Sequence, residues 1–133
     1  MEPMTVFNHV ALSVKDMDES IAWYNEIFGL KTLSRSTIPH NGALMAFVGN
    51  DNFSIELFQW PDAKPLPPER SHPDTDNATM GCKHFCVAVE DAATFVKSLK
   101  SRGVKIVFEP EGMPSYCAFI LDPTGNIIEV FNK

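Results

Sequence analysis

An α+β chain of two tandem βαβββ modules is predicted by three features of the sequence. The segment His9-Val-Ala-Leu-Ser-Val-Lys-Asp16 is matched by His84-Phe-Cys-Val-Ala-Val-Glu-Asp91. Further along each copy, Gly29-Leu-Lys31 answers Gly103-Val-Lys105, and Ile55-Glu-Leu-Phe58 answers Ile128-Glu-Val-Phe131. Each copy also passes from residues that alternate in polarity to a helical period and back to alternation. The first module runs from about residue 5 to 60 and the second from about 81 to 133, within one domain of 133 residues.

In the first module the alternation from Val6 to Val14 predicts a strand. Asp16-Met-Asp-Glu19 supplies an N-cap with acidic residues in the first turn, and Ile21, Tyr24, Ile27 and Phe28 follow at helical spacing to a stop at Gly29. Lys31 to Ile38, Leu44 to Val48 and Phe53 to Trp60 read as strands, separated by the turns Pro39-His-Asn-Gly42 and Gly49-Asn-Asp-Asn52. The stretch from Pro61 to Met80 holds five of the ten prolines and shows no periodicity, so it is predicted as a linker or a covering loop. The second module repeats the order: a strand from Cys82 to Val89, a helix from Asp91 to Arg102 closed by Gly103, then strands from Lys105 to Glu109, Tyr116 to Leu121 and Asn126 to Phe131. Asp122-Pro-Thr-Gly125 makes the last hairpin turn.

Composition narrows the function. Hydrophobic residues make up 44% of the chain, enough to fill a core at this length without disulfides or structural zinc. Eleven basic against seventeen acidic residues give a formal charge of −6, with no cluster of lysine and arginine, so nucleic acid is not an expected partner. The N-terminus has no signal-peptide pattern and no long apolar run occurs, which predicts a cytoplasmic protein that does not engage a membrane. Three cysteines agree with a reducing compartment.

Strand parity locates the candidate site. If Val10, Leu12 and Val14 face the first helix, His9 faces the other side of the sheet, beside the small residues Ala11 and Ser13. His84 takes the same place in the second module, beside Cys86 and Ala88. In the last strand of each module, Ile55 and Leu57, then Ile128 and Val130, supply the apolar face and leave Glu56 and Glu129 opposite. A carboxylate in a central strand is costly unless its charge is paired or metal-bound. The repeat spaces the pairs alike, with Glu56 following His9 by 47 positions and Glu129 following His84 by 45. Two imidazoles and two carboxylates suit one divalent ion such as zinc, nickel, cobalt, manganese or ferrous iron. Buried carboxylate–imidazole pairs without a metal are the competing reading. Cys82 and Cys86 are read as lining or core residues, because strand neighbours two apart, as each is from His84, are about 6.6 to 6.8 Å from each other, and Cys117 as core because it lies inside an apolar strand. Arg70, His72, Trp60 and Phe58 are candidate substrate contacts, the first two because loops between halves often close over sites.

The set His9, Glu56, His84 and Glu129 in two βαβββ halves resembles the vicinal oxygen chelate superfamily, which includes glyoxalase I, ring-cleavage dioxygenases and bleomycin-resistance proteins. The resemblance also rests on Ser20-Ile-Ala-Trp-Tyr-Asn-Glu-Ile-Phe-Gly-Leu30, Ala46-Phe-Val-Gly49 and Phe119-Ile-Leu-Asp-Pro-Thr-Gly-Asn-Ile-Ile-Glu129. It implies a cupped, barrel-like mixed sheet around a metal site, with the helices on the outer face, and a homodimer. Glutamate at the fourth ligand position is similar to glyoxalase I, which implies a divalent-metal-dependent isomerase or lyase acting on a small oxygenated substrate. By that resemblance Glu129 is the base and Glu56 its counterpart. An iron(II)-dependent ring-cleavage dioxygenase and a non-catalytic drug- or metabolite-binding protein are the alternatives. Where glyoxalase I carries an asparagine shortly after its first metal glutamate, this chain has Gln59-Trp60.

Overall fold

The computed structural model describes residues 1–111 and 116–133. The chain divides into two compact units, Met1–Ala63 and Lys64–Lys133. In the first, β1 (His9–Ser13), α1 (Met17–Phe28), β2 (Lys31–Thr37), β3 (Leu44–Gly49) and β4 (Ser54–Gln59) build a four-stranded sheet in the order β1-β4-β3-β2. β1 runs parallel to β4 and the other neighbours are antiparallel. A parallel neighbour needs a crossover, and β1 reaches its partner through α1, β2 and β3.

Local chemistry fixes the ends of α1. The Asp16 carboxylate accepts the Glu19 amide at 2.9 Å, and Gly29 closes the helix at φ 68°, a left-handed conformation that glycine adopts without a Cβ clash. The buried stripe is Met17, Ser20, Tyr24 and Ile27, so the helix is turned slightly from the predicted one and leaves Ile21 and Phe28 partly exposed. Beneath it lie Ala46, Val48, Ile55 and Leu57, all buried. Burying such aliphatic side chains supplies about 1.5–3 kcal/mol each for the larger ones, which makes this face the unit's core.

The second unit repeats the plan with β5 (Phe85–Val89), α3 (Ala92–Ser101), β6 (Ile106–Phe108), β7 (Cys117–Leu121) and β8 (Ile127–Asn132), in the order β5-β8-β7-β6. Its core is Val96 and Leu99 of α3 against Ala118, Ile120, Ile128 and Val130. Asp91 caps α3 as Asp16 caps α1, accepting the Thr94 amide at 3.0 Å. The β7–β8 turn is held by Asp122, whose Oδ1 accepts the amides of Thr124, Gly125 and Asn126 at 2.8–3.0 Å.

Two predicted strands start later than the alternation implied. Val6, Phe7 and Asn8 precede β1, and Cys82 to His84 precede β5. In the first unit the ladder sets the limit, because β4 begins with Ser54, opposite His9; in the second the pairing starts at Phe85, opposite Ile128. The predicted linker is structured within the second unit: Pro68–Arg70 forms a 3-10 turn and α2 (Pro73–Asp76) follows. Both begin at prolines, which suit a first helical turn because its amides have no intrahelical acceptor.

Candidate metal centre

Each unit brings one histidine to one glutamate. His9 Nε2 lies 3.6 Å from Glu56 Oε1, and His84 Nε2 lies 3.6 Å from Glu129 Oε2. The ladders explain the match. Glu56 stands between Ala11 of β1 and Phe47 of β3, while Glu129 stands between Cys86 of β5 and Phe119 of β7. The small neighbours Ala11, Ser13, Cys86 and Ala88 are exposed, so both pairs open on the sheet face turned away from their helix.

Phe47 and Phe119 complete the arrangement. The Phe47 ring meets His9 edge-on, centroids 5.0 Å apart and planes at 83°, and Phe119 meets His84 at 4.9 Å and 83°. Nothing in the sequence marks either phenylalanine for the site, although Ala46-Phe47 and Ala118-Phe119 recur within the repeat. In a half-buried strand, an apolar residue reads as packing.

The donors suit a cation. His9 Nδ1 is 2.5 Å from Asn8 Oδ1, an amide oxygen that only accepts, so the ring proton belongs on Nδ1 and a neutral ring presents its Nε2 lone pair to the Glu56 carboxylate. Two acceptors facing each other at that distance repel unless a proton or a metal ion lies between them. Two donors about 2.1 Å from one ion at a tetrahedral angle stand about 3.4 Å apart, close to the separation seen in both units. Among the described residues no group of three or more His, Cys, Asp or Glu side chains is gathered closely enough to hold a metal. What each unit displays is one imidazole and one carboxylate side by side.

Phe58 shares the face of Glu56, is half-buried, and lies 6.4 Å from the ring of the exposed Trp60. Arg70 and His72 have other engagements: Arg70 donates to Asp76 at 3.2 Å and to the Cys82 carbonyl at 3.1 Å. His72 caps α2 by accepting the Asp74 amide through Nδ1 at 3.1 Å, and its Nε2 lies 3.0 Å from the Val107 carbonyl. These contacts fix the loop. Gln59 falls on the helix face, where its Oε1 accepts the Met17 amide at 2.7 Å, and Asn132 does the same for Ala92 at 2.8 Å. Cys82 and Cys86 are exposed and Cys117 is half-buried. The Cys86 thiol itself lies against Glu129, and burial, followed by that carboxylate, pushes it up to about 12.

Duplicated βαβββ units that each carry a His–Glu pair on one face define a class of paired-module proteins. The chain matches the Glyoxalase/Bleomycin resistance protein/Dioxygenase superfamily over residues 6–130, and it belongs to that superfamily. It is 30% identical to a lactoylglutathione lyase of Arabidopsis thaliana across 96% of its own length, but spans only 44% of that protein. It is 31% identical to a probable lactoylglutathione lyase of Synechocystis, covering 92% of this chain and 91% of the relative. Among solved structures, the trypanothione-dependent glyoxalase I of Leishmania major superposes with a TM-score of 0.76 at 26% identity, over 97% of this chain and 87% of that one. Glyoxalase I of Zea mays superposes at 0.73 and 30% identity, over 94% of this chain and 43% of that one.

Proposed function

We propose that this chain is a divalent-metal-dependent isomerase or lyase of the glyoxalase I type, which moves a proton between neighbouring carbons of a small oxygenated substrate such as a thiohemiacetal of an α-ketoaldehyde. The observation that carries the reading is the recurrence of one His–Glu–Phe arrangement in both units, with glutamate in each. The lyase names of the relatives support the same reaction class.

His9, Glu56, His84 and Glu129 would together hold the ion. A bound ion would supply Lewis acidity there and so make the neighbouring substrate C–H more acidic. Asn8 keeps the His9 proton on Nδ1, which leaves Nε2 free to donate its lone pair. Phe47 and Phe119 limit rotation of the imidazoles. Glu129 takes the proton from the substrate carbon and returns it to the neighbouring one, with Glu56 as its counterpart on the other side. Phe58 and Trp60 contact the apolar part of the substrate. We expect a homodimer as the working assembly and the cytoplasm as its location; among the described residues no helix is long and apolar enough to cross a membrane.

The test is Glu129→Gln in the metal-loaded protein, assayed by conversion of the methylglyoxal–glutathione hemithioacetal and of other thiohemiacetals. Turnover is expected to fall at least a hundredfold, on the order of what loss of a general base costs, with the fold retained by circular dichroism. An unchanged rate would reject the role of Glu129. Oxygen consumption with a catechol would favour the dioxygenase alternative, and ligand affinity without turnover would favour a binding protein.

A further inference from the structure

The two histidines are anchored differently. His9 is part of the β1 ladder, opposite Ser54, and its ring is held by the side chain of the residue before it, Asn8. His84 lies outside its ladder, which begins at Phe85, and among the described residues no side chain takes up its Nδ1. At the position matching Asn8 the second unit has Lys83, whose ammonium turns away into the preceding loop. There it donates to Asp76 Oδ1 at 3.1 Å, to the Asp76 carbonyl at 2.8 Å, and to the Thr79 carbonyl.

Asp76 is built for this contact. It is 1% exposed and ends α2, and its Oδ1 also receives Arg70 Nε at 3.2 Å, while Arg70 Nη2 reaches the Cys82 carbonyl two residues before His84. A buried carboxylate is costly to leave unpaired, and Asp76 meets both Arg70 and Lys83 through one oxygen, so the two side chains are drawn to one point. Asp76 Oδ2 is buried without a hydrogen-bond partner, so the burial is not explained by saturation of the carboxylate. What the cluster does achieve is to tie the Cys82 carbonyl, through Arg70, and the Lys83 side chain to the preceding loop. His84 follows immediately.

We infer that Asp76, acting through Lys83 and Arg70, is a positioning residue for His84, the counterpart in the second unit of Asn8 in the first. This gives the loop from Pro61 to Met80 a task at the site, and it rests on the reading of His84 as a metal ligand. Outer partners that orient a ligating histidine affect affinity by about ten- to a hundredfold.

The test compares wild type, Asp76→Asn, Lys83→Met and the conservative Lys83→Arg by two measurements. Amide hydrogen exchange of the metal-free protein is expected to rise over Cys82–Cys86 in Asp76→Asn and Lys83→Met, with β1 and α3 unchanged and Lys83→Arg near wild type. Titration with zinc alone is expected to show about tenfold weaker binding in the first two variants, with Lys83→Arg restoring it. Unchanged exchange at Cys82–Cys86, or local loosening with zinc affinity intact, would overturn the inference. If wild type binds no zinc while the exchange pattern appears, the metal reading fails and the anchoring of this segment stands. Should Asp76→Asn not fold, the Lys83 pair carries both measurements.

Discussion

Phe47 and Glu56 face each other across the β3–β4 ladder, and the same Phe47 ring meets the edge of His9. One side chain thereby neighbours both members of a pair that comes from two different strands. Phe119 repeats this with Glu129 and His84. Edge-on aromatic contacts contribute about 0.5–1.5 kcal/mol beyond the area they bury. Phe47→Leu and Phe119→Leu, which keep an apolar residue in the strand, are expected to weaken zinc binding roughly three- to tenfold. Calorimetric titration of each variant checks this, and equal affinities would show that the rings only pack.

Gln59 and Asn132 tie the last strand of each unit to the first amide of its helix. An unsatisfied amide at a helix start costs about 1–2 kcal/mol. Gln59→Leu is therefore expected to lower stability by about that amount while leaving metal affinity unchanged. Urea unfolding of the metal-free protein measures the first, and a zinc titration the second. A change in affinity with unaltered stability would place Gln59 in the site instead.

Acid is expected to weaken the fold through two carboxylates of the second unit. The Thr94 amide and hydroxyl hold Asp91 below its usual range, and Lys100, with help from Tyr116, does the same for Glu109. A carboxyl lowered in the folded state stabilises above its unfolded pKa, and that contribution fades as pH falls through the folded value. The loss should therefore set in below about pH 4 to 4.5. Asp91→Asn and Lys100→Met are expected to flatten the decline between about pH 4.5 and 2.5. Thermal midpoints across that range decide it, and parallel curves for wild type and variants would contradict the assignment.

The repeat made the fold legible because both copies preserve strand parity and helix caps, and parity alone put His9, Glu56, His84 and Glu129 on faces away from the helices. The aromatic partners were present in the repeat as Ala46-Phe47 and Ala118-Phe119, but an apolar strand residue carries no mark that separates packing from ligand support. Arg70 and His72 read as substrate contacts because a proline-rich loop between two halves often closes over a site. Their partners are Asp76 and the Cys82 and Val107 carbonyls, and only the folded path of the chain brings these near. Asp76 was hidden for the same reason, since a buried aspartate has the same spelling as an exposed one.

The most direct measurement is calorimetric titration of chelator-treated, metal-free protein with zinc, repeated on His9→Ala and His84→Ala. About one ion per chain is expected, with affinity lost in both variants and a gain in stability of about 2.7 kcal/mol at a hundredfold excess over the dissociation constant. No binding by the wild type, or binding that survives removal of either histidine, would contradict a centre assembled from both His–Glu pairs.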